Sequence, residues 1–214
     1  MSDSHIHGDD KWSHSHPKQP DIEDGPLTDY MVMTEAVGDL LIEKGVFSAG
    51  DLRAMIESID TKSPTDGGRV IARAWLDQEF KVRFMEDVNA AAEELGIDAG
   101  TIPIRAVENT SEVHNVIVCT LCSCYPRMLL GLPPDWYKAR AYRSRVVRDP
   151  RGVLREFGTE IASDVEIRVH DSTADLRYMV LPMRPNGTED MGEDELAAIV
   201  NRDSMIGVTT VSKP

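Results

Sequence analysis

The chain has 214 residues, 41% of them hydrophobic, with 23 basic against 37 acidic side chains and a net charge of −14. That length suffices for one substantial core with an appended arm, and no apolar run approaches the ~20 residues of a membrane span. The acidic balance argues against nucleic acid as a partner, and the polar opening Met1-Ser2-Asp3-Ser4-His5 has no hydrophobic secretory region, so a soluble cytoplasmic protein is expected.

Residues 1–27 are polar and carry His5, His7, His14 and His16 among three prolines. His-x-His pairs can capture metal, but the composition reads first as a mobile tail. From 28 to 100 the pattern is helical. Met31, Met33, Ala36, Val37, Leu40 and Leu41 recur at helical spacing and stop at Gly45. Ser48 followed by Asp51 starts a second helix with Leu52, Met55 and Ile56 on one face. A third helix is predicted over 69–75 and a fourth over 77–95, closing at Gly96. This segment reads as an arm with little core of its own, suited to packing on a partner subunit. Residues 101–214 change rhythm. Strands are predicted over 102–107, 113–118, 165–169 and 178–181, and helices over 151–157 and 193–201. The class is therefore α+β.

All three cysteines fall in Cys119-Thr120-Leu121-Cys122-Ser123-Cys124, just after a predicted strand, where a loop on a rigid scaffold can present them. Three soft thiolates at this spacing reach one transition metal. If the amide nitrogens of Ser123 and Cys124 also lose their protons, two nitrogens and two sulfurs form a plane, Cys119 caps it, and a sixth position stays open for chemistry. A structural zinc-binding module would need a fourth ligand, with His114 nearest in sequence. A disulfide would leave one thiol over. The spacing by itself leaves these readings open.

The block from Cys119 to Pro126, followed by Gly131-Leu132-Pro133-Pro134-Asp135-Trp136-Tyr137-Lys138, resembles the α subunit of nitrile hydratase. So do the segment from Tyr142 to Arg151, Asp171-Ser172, Arg177-Tyr178, Arg184-Pro185, Gly187-Thr188-Glu189 and the segment from Asp203 to Val208. The thiocyanate hydrolase γ subunit belongs to the same superfamily and carries the same cysteine block. The resemblance implies a layered α-β-β-α C-terminal domain and a metal held by Cys119, Cys122, Cys124 and the amide nitrogens of Ser123 and Cys124. It also implies that Cys122 is oxidised to a sulfinic acid and Cys124 to a sulfenic acid, two steps of the usual ladder. A trivalent metal would then activate a nitrile or a water, with the Cys124 sulfenate as nucleophile or base, in the lyase reaction of nitrile and water to amide. The implied partners are a β-type subunit, as one chain or two split chains, and an activator protein that inserts the metal. Thr120 and Tyr125 resemble the cobalt branch of the family, so Co(III) is expected ahead of iron.

Three positions depart from the usual pattern. Arg127 stands where a tryptophan commonly follows Tyr-Pro and matches the γ subunit of thiocyanate hydrolase. Val82 and Met183 stand where glutamines are common. Arg127 and Val82 are therefore candidate substrate contacts, and Arg127 favours a polar or heterocyclic nitrile, or thiocyanate in the alternative γ-type reading. His114 and His170 carry no assigned catalytic role.

Overall fold

The computed structural model describes residues 28–213, and the His-rich segment 1–27 lies outside them. Two helices open the described chain, α1 (Asp29–Glu43) and α2 (Ala49–Asp60). The expected cap of α2 is formed on both sides: the Asp51 amide donates to Ser48 Oγ at 3.1 Å, and the Ser48 amide donates to Asp51 Oδ2 at 2.9 Å. Neither helix contains a buried residue.

The next three helices, α3 (Pro64–Leu76), α4 (Gln78–Glu86) and α5 (Val88–Glu94), are of a different kind. Val70, Ile71, Phe80, Phe84, Val88 and Ala91 enter the main core, so a boundary at residue 100 would cut through that core. The segment without a core of its own ends near residue 60. Two local departures from the predicted elements have clear causes. Helix α3 begins earlier than expected because Ser63 caps it and Pro64 supplies a ready-made first-turn φ. The pair Gly67-Gly68 sits buried inside the helix. A Cβ on Gly68 would lie 2.8 Å from the Ala197 carbonyl oxygen, so glycine lets another helix cross closely here. The single helix expected over 77–95 is broken at Asp87, whose extended backbone ends α4 and whose carboxylate accepts from the Ala90 amide to start α5.

Four strands follow: β1 (Ile104–Glu108), β2 (Val113–Val118), β3 (Glu166–Asp171) and β4 (Arg177–Leu181). They form two parallel pairs, β1 with β4 and β2 with β3, with Ile104 opposite Arg177 and Val118 opposite Asp171. Parallel pairing needs long crossovers. The one from β2 to β3 carries α6 (Arg127–Leu130), α7 (Asp135–Lys138), α8 (Arg140–Arg148) and α9 (Pro150–Glu156). After β4 come α10 (Glu193–Ile199), packed on α3, and α11 (Arg202–Ile206), packed on β2 and β4. Helices α4 and α5 cover β1, the two sheets meet through β2, and α9 covers β3, which gives the α-β-β-α layering of an α+β fold. Among the described residues no helix is long and apolar enough to cross a membrane.

Candidate metal centre

The cysteine segment begins where β2 leaves the sheet. Cys119 is fully buried, Cys122 is exposed and Cys124 lies between the two. Their sulfurs converge: Cys119 Sγ is 3.6 Å from Cys122 Sγ, Cys122 Sγ is 3.3 Å from Cys124 Sγ, and all three lie within 4.8 Å of one another. The thiols are free. The Cys122 amide donates to Cys119 Sγ at 3.3 Å, which folds the loop back on itself.

Contacts from distant elements hold the loop. Asp171, at the end of β3, accepts from the Thr120 amide at 2.9 Å and from its hydroxyl at 2.5 Å. Arg143 of α8 donates to the Thr120 carbonyl at 3.3 Å. The Ser172 amide donates to the Val118 carbonyl at 2.7 Å. Tyr142 and Tyr137 donate to the carbonyls of Ile117 at 2.7 Å and Cys124 at 2.9 Å. Sequence reading gave no role to Asp171, Arg143 or Tyr137. Each lies inside a segment that carries the family resemblance, yet its partner is 13 to 51 residues away.

The thiols are electrostatically unequal. Hydrogen bonding from Cys124, then from the Ser123 amide, lowers the Cys122 pKa, so Cys122 is the readier thiolate. Burial comes first among the causes that push Cys124 up to about 12, against the opposing charge of Arg177. The donor set suits a metal that takes sulfur ligands, with the amide nitrogens of Ser123 and Cys124 between the thiols. The zinc reading lacks its fourth ligand among the described residues. His114 stands at the other end of β2 with both ring nitrogens engaged, Nε2 on the Gly207 carbonyl at 2.8 Å and Nδ1 beside Asn109 Nδ2 at 3.3 Å.

A cavity of about 650 Å³ adjoins the cysteines, and its lining includes Cys122, Ser123, Cys124 and Arg127 together with Met55, Ile59 and Ile102. Arg177 reaches the same cavity, and its Nη1 is buried with no hydrogen-bond partner. The candidate contacts from sequence therefore separate. Arg127 joins the cysteines, but Val82 does not. Phe80 and Phe84 turn one face of α4 into the core, which leaves Val82 half exposed on the opposite face. Met183 lines a separate cavity of about 190 Å³ with Asn109 and His114.

The family profile described as "Nitrile hydratase, alpha chain" matches residues 28–209. The chain belongs to the nitrile hydratase alpha chain family. It is 50% identical to the low-molecular weight cobalt-containing nitrile hydratase subunit alpha of Rhodococcus rhodochrous, over 84% of this chain and 88% of that one. It is also 44% identical to thiocyanate hydrolase subunit gamma of Thiobacillus thioparus, over 88% of this chain and 82% of that one. A double mutant of the Fe-type nitrile hydratase from Comamonas testosteroni Ni1 superposes with a TM-score of 0.77 at 40% identity, covering 87% and 94% of the two chains. Both cobalt- and iron-type proteins stand among the relatives within this nitrile hydratase family.

Proposed function

We propose that this chain is the catalytic, metal-binding subunit of a cobalt nitrile hydratase that hydrates a polar or heterocyclic nitrile to its amide. The observation that carries the reading is the convergence of three free thiols, two of them at the wall of a cavity that also holds Arg127. Cys119, Cys122 and Cys124, with the amide nitrogens of Ser123 and Cys124, would hold the metal. A trivalent cobalt there would supply Lewis acidity that makes a nitrile carbon electrophilic. The fully buried Cys119 anchors the site from within, and the exposed Cys122 and half-exposed Cys124 face the cavity. Two-electron oxidation of the Cys124 thiolate by dioxygen or a peroxide would give a sulfenate, which would place an anionic oxygen beside the substrate, as nucleophile or as base for water. The buried Nη1 of Arg177 and the guanidinium of Arg127 compensate that charge and orient acceptor groups of the substrate. Cobalt is favoured over iron by Thr120, Tyr125 and the cobalt-containing relatives. A β-type partner, expected from the family, completes the site over the arm.

The second reading is thiocyanate hydrolysis, favoured by Arg127 itself, since a fixed cation suits an anionic substrate, and by the gamma-subunit relative. One experiment separates the two. The purified complex is analysed for metal and intact mass, and kcat/KM is measured for acetonitrile, a heteroaromatic nitrile and thiocyanate, in wild type and Arg127→Trp. The expectation is about one cobalt per chain, added oxygens on Cys122 and Cys124, and a roughly ten- to hundredfold fall in preference for the polar nitrile in Arg127→Trp. Unmodified thiols in an enzyme that turns over would sink the mechanism. Ratios unchanged by the substitution would make Arg127 a contact to the partner subunit, and a dominant thiocyanate activity would establish the second reading.

A further inference from the structure

The cysteine loop is held unevenly along its length. The end of β2 that leads into it is anchored, Ile117 by Tyr142 and Val118 by Ser172, and within the loop Thr120 is held on its amide, hydroxyl and carbonyl by Asp171 and Arg143. Ser123 and Cys124 lie beyond the sheet. Among the described residues, the one hydrogen bond that reaches this pair from outside the loop is from Tyr137 Oη to the Cys124 carbonyl, at 2.9 Å. Tyr137 is well placed to hold it. It is fully buried on α7, and its ring is wedged against Tyr125 at 5.1 Å, Tyr142 at 5.7 Å and Trp136 at 6.0 Å. Short aromatic contacts of this kind fix a ring in one rotamer.

We propose that Tyr137 is a positioning residue that fixes the backbone of Cys124 for metal binding. The Cys124 carbonyl carbon is bonded to the Cα that bears the amide nitrogen directly and the sulfur through Cβ. A carbonyl held in one direction therefore restricts the backbone on which both donor atoms are mounted, without Tyr137 touching metal or substrate. Supporting contacts around a metal site commonly change affinity or activity ten- to a hundredfold. The inference rests on the metal-centre reading above.

The test uses the metal-loaded complex and the variant Tyr137→Phe, which keeps the ring and its aromatic contacts and removes the hydroxyl. Three quantities are read: the rate of metal loss to an excess of chelator, the sulfur-to-metal charge-transfer absorption, and kcat and KM separately. Metal loss about tenfold faster, a shifted charge-transfer band, and a fall in kcat with KM within about twofold are expected. Tyr142→Phe is the control, because it frees a carbonyl inside β2. It should lower Tm while leaving the band in place. A Tyr137→Phe complex with wild-type metal loss and an unshifted band overturns the proposal, even if its Tm falls. If Phe prevents folding, 3-fluorotyrosine at 137 strengthens the donor at nearly constant shape, and unchanged metal loss in that protein overturns the proposal equally. A wild-type complex with no charge-transfer band would instead sink the metal-centre reading.

Discussion

His114 shows how a single buried side chain couples this fold to pH. It sits at the start of β2, where Asn109, Asn115 and His170 form one polar network. Asn109 Oδ1 accepts from the Asn115 amide at 2.7 Å, and Asn115 Oδ1 lies 2.8 Å from His170 Nε2. The Gly207 carbonyl can only accept, so His114 carries its proton on Nε2 and accepts from Asn109 on Nδ1. Gly207 must be glycine for this contact. Its φ is +89°, and a Cβ there would lie 2.0 Å from the Asn115 carbonyl oxygen. Burial lowers the His114 pKa against the opposing bond to Gly207, and burial followed by the charge of Arg168 lowers that of His170. The folded values thus lie below the unfolded value near ~6.5. As pH falls through that value the unfolded chain takes up protons first, so the contribution is full above it and is lost below it. The urea midpoint should therefore drop between pH 7.5 and pH 5.5, and His114→Gln should flatten part of that drop. An unaltered pH slope in the variant would assign the effect to other groups.

At the scale of elements, α1 and α2 stand apart from the rest. Both are well capped, α2 by a reciprocal Ser48 and Asp51 box, yet neither has a buried side chain. Their stability in the isolated chain is thus largely local, and short helices without tertiary packing are marginal in water. Amides of α2 should exchange rapidly in the free chain and become protected in the complex with a β-type partner. Loss of the cap is worth about 1 kcal/mol, so Ser48→Ala should speed α2 exchange in the free chain about fivefold with little change in global Tm. Exchange in α2 as slow as in β2 would show that the helix is held by the body after all. Caps, turns and periodicity made most of these elements legible in sequence, including β2 at its observed ends. Asp87 was not legible as a break, because a carboxylate inside an apolar repeat looks the same whether it faces solvent or caps the next helix. The parallel pairing of β1 with β4, more than 60 residues apart on the chain, leaves no local trace either.

At the scale of the molecule, the cysteine donors were legible because soft ligands at short spacing need no tertiary information. The residues that aim them were not, since Asp171, Arg143 and Tyr137 meet the loop only once β2, β3, α7 and α8 have assembled. The same assembly decides what the chain can do alone. One core runs from Val70 in α3 to Val208 near the C-terminus, so the body from α3 onward should fold as a unit. The segment before it exposes a row of apolar side chains, with Tyr30 at 80%, Val46 at 64%, Met55 at 59% and Met33 at 56%. Exposed apolar area of this extent marks an interaction surface, and Met55 also lines the cavity that Cys122 and Cys124 share. Removing residues 28–60 should consequently leave a folded body with Tm within a few degrees of the full chain, because no buried side chain is lost. It should also abolish stable association with the β-type subunit in sedimentation or size-exclusion experiments, and turnover with it. A truncated chain that still binds its partner with full affinity would move the docking surface from the arm to the body. A truncated chain that unfolds would show that α1 and α2 stabilise the core through contacts other than burial.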